Sequence, residues 1–177
     1  MSVSSHLTPE PERRLWLILE YMRGAVARAE DQIAALAALV VAELIYLKVA
    51  GPAGPIVGLS ILLLALALPL AVFSYAPFAR LPAWLSFIEP PKEKPAGADN
   101  LVSEQDLAKY SHLELINKLD RYLGGGITAT QYYEDLVGEI VAAARIAARK
   151  RRLLGWLLML AGAAQVALLA AWLSPRL

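Results

Sequence analysis

The sequence predicts an all-α membrane protein. Three transmembrane helices are expected, with a cytoplasmic helical bundle formed by the membrane-proximal halves of the first and last helices plus one intervening helix. Three observations lead there. Hydrophobic residues make up 58% of the chain and charged ones only 19%, against about 45–50% and roughly a quarter in a soluble domain. The charges are segregated, with no Asp, Glu, Lys, Arg or His between Val49 and Ala79. Lys and Arg collect beside the long apolar runs rather than over one whole domain.

The first span is predicted at 33–50, interrupted by Glu43 and by Lys48 near its end. "GPAGP" at 51–55 is a turn, because its prolines and glycines disfavour a helix from both sides. The second span, 56–78, is uncharged, and the third, 153–173, has Gln165 as its one strongly polar side chain. About 20 residues at 1.5 Å each cross a hydrocarbon layer of about 30 Å. A cleavable signal peptide does not fit, since the first apolar run begins only after Asp31.

Orientation follows from the basic residues. Arg13, Arg14, Arg23 and Arg28 precede the first span; Arg80, Lys92 and Lys94 follow the second; Arg145, Arg149, Lys150, Arg151 and Arg152 precede the third. Only Lys48 and Arg176 fall on the opposite side. This predicts a cytoplasmic N-terminus, an outer turn at 51–55, cytoplasmic residues 79–152 and an outer C-terminus. The run Arg149, Lys150, Arg151 and Arg152 is then the inner-face membrane anchor of the last span, near anionic headgroups. With a net charge of +1, the chain lacks the basic excess of a nucleic-acid binder.

The segments outside the membrane are predicted in order. Residues 1–32 are an N-terminal cytoplasmic helix starting near Thr8-Pro9, whose stripe Leu15, Leu19, Met22, Val26 and Ile33 runs into the first span. Residues 79–100 are a proline-rich linker. Residues 101–152 form a helical hairpin, the expected sensor region. Its first helix is predicted over 100–122, with Ser103 and Asp106 at capping-box spacing and a stripe of Leu107, Tyr110, Leu113, Leu115, Ile116, Leu119 and Leu123. "GGG" at 124–126 ends it, and Thr128 with Gln131 offers the next cap. From about 130 to 173 one continuous helix is predicted, since no proline interrupts its helix-favouring composition.

Catalytic chemistry finds no support. There is no cysteine, and the two histidines, His6 and His112, have no partner at ligand spacing. No phosphate loop, HExxH, GxSxG or dinucleotide fingerprint occurs. Neither a metal nor a resident cofactor is expected, and the chain is read as a non-enzyme. Two polar residues stand within the spans: Glu43, about 15 Å past Ile33, and Gln165, about 18 Å past Leu153. At similar depth they are either a pore or gating pair, within or between subunits, or Glu43 sits at the outer interface beside Tyr46 and Lys48. Three spans cannot enclose an aqueous path, so a pore requires a homo-oligomer. A small anion finds one candidate neighbourhood in Arg121, Tyr122, Thr128, Thr130, Tyr132 and Tyr133, where a guanidinium and a helix start suit phosphate and tyrosines can stack a base. The same residues equally suit ordinary capping and packing of a hairpin.

"NLVSEQDLAKYS" (100–111) followed by "YYEDLVGEIVAAARIAARKRRLLGWLLMLAG" (132–162), with "RAEDQIAALAAL" (28–39) entering the first span, resembles the transmembrane effector family of Pycsar anti-phage systems. The chain departs from that pattern with "VSEQ" at 102–105 and Gly138-Glu139. The resemblance implies an effector in the bacterial inner membrane, triggered by a cyclic pyrimidine mononucleotide, cCMP or cUMP, from a partner nucleotide cyclase. It implies that membrane integrity is then impaired, giving abortive infection. Besides the cyclase, the bilayer and further copies of the chain are the expected partners, and nucleic acid is not. The alternative is a non-enzymatic membrane scaffold that docks a partner protein through its cytoplasmic bundle.

Overall fold

The computed structural model of the chain describes residues 11–51, 54–75, 93–96, 99–123 and 131–173, with backbone alone at 11, 12, 120, 122 and 123. The fold is all-helical, and no strand occurs among the described residues. In chain order the helices are α1 (Pro11–Ala50), α2 (Pro55–Phe73), the single turn α3 (Glu104–Leu107), α4 (His112–Leu123) and α5 (Gln131–Leu173). Three of them, α1, α2 and α5, are long and apolar enough to cross a membrane. α1 and α5 run 40 and 43 residues without a break. The Thr8-Pro9 start, the 124–126 stop, the Thr128 cap and most of the 79–100 linker lie outside the described residues.

Two compact units divide the chain, Met1–Ala27 with Glu89–Arg149, and Arg28–Ile88 with Lys150–Leu177. In the first, Leu15, Leu19 and Met22 of α1 supply one apolar stripe, at i, i+4 and i+7. They pack with Leu107, Tyr110, Leu115, Ile116 and Leu119, and with Tyr133, Leu136, Val137, Ile140, Val141 and Ala144 of α5. Each stripe is one helical face, so burying them together removes three apolar surfaces from water at once. Leu113, expected in the stripe, is 71% exposed. It sits two residues before Leu115, which on a helix is nearly the opposite face.

The single helix expected over 100–122 is two helices, and the reason is local. Ser111 and Glu114 cap reciprocally: Ser111 Oγ accepts the Glu114 N–H at 3.3 Å, and Glu114 Oε2 accepts the Ser111 N–H at 2.8 Å. This is a capping box, S-x-x-E, inside what looked like a continuous stripe. In an uninterrupted helix the Glu114 N–H would bond to the Tyr110 carbonyl. That carbonyl instead accepts from Arg145 Nη2 at 3.0 Å, so the break does not strand it. Ser103, the expected cap of the first helix, makes no side-chain capping bond. Asp106 Oδ2 reaches back past it to accept the Asn100 N–H at 3.1 Å, and Asn100 Oδ1 accepts the Val102 N–H at 3.0 Å.

The second unit packs on a seven-residue repeat. Ile33, Val40 and Leu47 of α1, Val57, Leu64 and Ala71 of α2, and Leu157 and Ala164 of α5 are all buried in one cluster. Each set recurs every seven residues, the spacing that keeps one seam of a helix facing its neighbours as in a coiled coil. The remaining faces carry exposed apolar groups such as Leu39, Ile45, Leu62, Leu66, Met159, Leu169 and Trp172, which suits lipid rather than water. α1 ends where Gly51 donates its N–H to the Leu47 carbonyl at 3.2 Å. A Cβ at Gly51 would lie 2.5 Å from that oxygen, so the turn requires glycine. α2 ends at Phe73, with Ser74 Oγ donating to the Ala71 carbonyl at 2.7 Å beside the last turn; residues 76–78 of the expected span lie outside the described residues.

The capping box yields a direct test. Ser111→Ala should cost about 1 kcal/mol, seen as a lower unfolding temperature of the purified protein in detergent, whereas Leu113→Ala should leave it unchanged. Equal losses in both variants would mean that α4 does not begin at the serine.

Candidate functional site

Within the membrane unit the two polar residues of the spans meet. Glu43 lies three residues past Val40 and four before Leu47, so it shares their packed face. Gln165 follows Ala164, another seam residue. Gln165 Nε2 donates to Glu43 Oε1 in a very short hydrogen bond. The pair is therefore formed within one chain, and Glu43 turns away from Tyr46 and Lys48, both exposed. Glu43 Oε2 is shielded and has no hydrogen-bond partner among the described residues. A half-satisfied carboxylate at this depth is costly, which is why such groups mark polar paths or switches in membrane proteins.

A second polar set joins the three spans, and sequence reasoning missed most of it. Lys150 is buried although the two residues that follow it, Arg151 and Arg152, are exposed. Its Nζ donates to Glu30 Oε1 of α1 at 2.6 Å and to the Ser74 carbonyl after α2 at 3.0 Å. It also lies 5.5 Å from the centre of the Tyr75 ring, while the Tyr75 hydroxyl donates to the Glu30 carbonyl at 3.0 Å. An ammonium at the carbonyl end of a helix is favoured by the helix dipole as well as by its carboxylate partner. Among the four basic residues expected to meet headgroups, Lys150 is thus committed inside the protein. The signal was present in the sequence: Lys150 stands seven residues before Leu157 and fourteen before Ala164, on the seam.

In the first unit, α4 presents Glu114, Asn117, Lys118 and Arg121 along one side, at i, i+3, i+4 and i+7. With Tyr110 and the segment Pro95-Ala96 they line an open groove of about 430 Å³. The far wall is fastened by a polar network. Asp99 Oδ2 accepts the Ala96 N–H at 2.6 Å, and the Tyr110 hydroxyl lies 2.9 Å from that oxygen and 3.0 Å from the Ala96 carbonyl. Lys118 Nζ donates to the Ala96 carbonyl at 3.2 Å and to the Tyr110 hydroxyl, with its charge 4.7 Å from the Tyr110 ring centre. Lys109 holds Asp106 at 2.9 Å, Glu93 at 3.1 Å and Asp99 at 3.7 Å.

Of the residues expected to bind an anion, Arg121, Tyr132 and Tyr133 have described side chains, and their surroundings differ. Arg121 is exposed and lines the groove. Tyr132 is exposed, with its hydroxyl accepting from Trp16 Nε1 at 2.8 Å. Tyr133 is fully buried in the first unit's core, so its ring has no open face for a base. It is a packing residue, because it begins the stripe continued by Val137 and Ile140. The Tyr122 side chain, Thr128 and Thr130 lie outside the described residues. Asn117 and Lys118 were not singled out in the sequence; their spacing from Arg121 was visible, but the opposing Pro95-Ala96 wall was not. His112 Nε2 lies 2.7 Å from the Glu134 carbonyl, so that nitrogen carries the proton and ties α4 to α5. Among the described residues no cluster of His, Cys, Asp or Glu could hold a metal.

The Asp network sets a pH dependence. The backbone N–H of Ala96 holds the Asp99 carboxyl below the usual aspartate range, and the Lys109 ammonium does the same for Asp106. A carboxyl depressed by folding contributes stability above the unfolded value and loses it as pH falls through the folded one. Lys109 is raised above the ordinary lysine range, first by Asp106, so its contribution persists through neutral and mildly alkaline pH. Thermal unfolding should therefore be flat from about pH 5 to 8 and weaken below about pH 4. Asp106→Asn should reduce that acid slope, and an unchanged slope would remove the network from the pH response.

The comparisons with known proteins bear on all of these groups together. The family model described as Pycsar effector protein domain, PycTM, matches residues 14–175, which takes in all five helices but for the first residues of α1. No curated protein and no solved structure matches the chain. With three helices fit to cross a membrane and a family match over nearly the whole sequence, the chain belongs to the PycTM family of Pycsar transmembrane effectors of anti-phage defence.

Proposed function

We propose that the chain senses a cyclic pyrimidine mononucleotide, cCMP or cUMP, through its first unit. Acting as a homo-oligomer, it then impairs the integrity of the bacterial inner membrane, with abortive infection as the result. The observation that carries this reading is the family match across residues 14–175, and the physical features agree with it. Both units draw on α1 and on α5, and neither helix has a break at residues 27–28 or 149–150. A stiff helix passes a rotation or tilt along its length, so ligand-induced repacking of Leu15, Leu19 and Met22 has a route to the spans.

The damaging step is assigned to Glu43 and Gln165. A carboxylate with one satisfied oxygen lies in a shallow minimum: separating the helices exposes it to water and relieves its desolvation. Several copies arranged in a ring would then line an opening with carboxylates and amides. Lys150 and Glu30 tie the spans at the cytoplasmic side, while Arg151 and Arg152 meet the headgroups. The nucleotide comes from a partner cyclase, and no catalytic role is assigned to the chain itself.

Two measurements test this reading. Purified protein in liposomes should release a trapped ion or dye on addition of cCMP or cUMP and not of purine cyclic nucleotides. Glu43→Leu, which strands the Gln165 amide, should change the release rate several-fold or more; wild-type release in Glu43→Leu and Glu43→Ala would take Glu43 out of the mechanism. The proposed orientation has a separate check. The chain has no cysteine, so single cysteines placed at Ala53 or Ser174 should react with an impermeant thiol reagent from outside intact spheroplasts. A cysteine at Ser2 should be protected, and labelling of positions 2 and 174 from the same side would overturn the topology.

A further inference from the structure

We infer that the groove along α4 is the ligand site, and that it takes a compact monoanionic phosphodiester carrying one nucleobase. The charges are ordered along the helix. Glu114 lies at one end and Arg121 at the other, a separation of about 10 Å over seven residues, with Lys118 between them one turn from Arg121. That is the size of a single nucleotide rather than of an oligomer, and about 430 Å³ of space falls in the usual range for small-molecule pockets. The Glu114 carboxylate repels a phosphate, so the anion belongs at the Lys118–Arg121 end and the neutral base toward Glu114.

The donors are suited to that task. Lys118 is already fixed by the Ala96 carbonyl and the Tyr110 hydroxyl, which use two of its three N–H groups and leave one to point at an anion. Because it is held in place, little side-chain freedom is lost on binding. Arg121 is exposed, and among the described residues no hydrogen bond or ion pair engages it. Its guanidinium can take two phosphate oxygens side by side. Between the ends, the exposed Asn117 amide offers one donor and one acceptor direction, which fits the mixed edge of a pyrimidine. Pro95, half-buried on the wall facing α4, gives the apolar contact on which a base rests. Lys118 also bonds the wall segment through Ala96, so a phosphate held by its remaining N–H sits beside the contact that joins the wall to α4.

This assignment rests on the reading of the chain as a nucleotide-triggered effector, and one experiment separates the two. Full-length protein in detergent is titrated calorimetrically with cCMP, cUMP, their purine counterparts and inorganic phosphate. The same titrations are run on Arg121→Gln, Asn117→Ala and, as an exposed cation elsewhere in the first unit, Arg23→Gln. Wild-type protein should bind a cyclic pyrimidine nucleotide, Arg121→Gln should weaken it about tenfold or more, and Arg23→Gln should leave it unchanged. Because Arg121 is outside the core, its variant should unfold at the wild-type temperature, so the loss reads binding and not folding. If the wild type binds and both groove variants bind equally well, the groove is wrong and the sensing role stands. If the wild type binds none of the nucleotides, the sensing role fails and the groove falls with it.

Discussion

Lipid tails give apolar helices no reason to leave them, so whatever holds spans together must come from close packing and from polar groups that lipid cannot satisfy. In this chain both devices lie on the same seam. The seven-residue repeat of Ile33, Val40 and Leu47 against Leu64, Ala71, Leu157 and Ala164 provides the packing. Lys150 with Glu30 marks one end of that seam and Gln165 with Glu43 the other, fifteen residues apart on α5, or about 22 Å. The seam residues between them, Ile33, Val40, Leu157 and Ala164, are apolar, and apolar packing is not directional, so the two polar contacts fix the register of the spans.

The first unit solves a different problem, that of ending and restarting a helix without stranding backbone groups. Arg145, Ser111 and Glu114 take up the Tyr110 carbonyl and the Ser111 and Glu114 N–H groups at the break. The break also frees Tyr110 to turn its hydroxyl toward Ala96 and Asp99, which shapes the wall opposite α4. A capping detail of one turn thereby creates the groove, and the aspartates that fasten it are the groups whose protonation undoes it.

The number and type of long helices were legible because apolar run length and charge segregation are read directly from residue order. The continuity of α5 was legible too, since Gln131 to Leu173 contains no proline and favours helix throughout. The break at 108–111 was not, although S-x-x-E was there to see: a stripe through Leu107, Tyr110, Leu115 and Leu119 overlaps it, and periodicity alone does not register a cap inside a stripe. Glu43 and Gln165 were paired by depth, a quantity that follows from counting residues. Lys150 was assigned to headgroups because four basic residues in a row resemble a uniform anchor, and only the phase of the repeat distinguishes one from the others. Tyr132 and Tyr133 looked equivalent for the same reason; adjacent helical positions point about 100° apart, and one faces the core while the other does not.

The seam has a consequence for how such a chain enters the bilayer. Its contacts set the alanines Ala67, Ala71 and Ala164 against Ile, Val and Leu of the same seam, while further Leu, Ile, Met and Trp side chains stand on the outward faces. Partitioning from water into the bilayer, and recognition of one helix by the next, are therefore governed by separate sets of positions. Sequence drift on the outer faces tunes insertion and leaves the fit between helices intact. A change of one methyl group on the inner faces alters the fit while insertion proceeds as before.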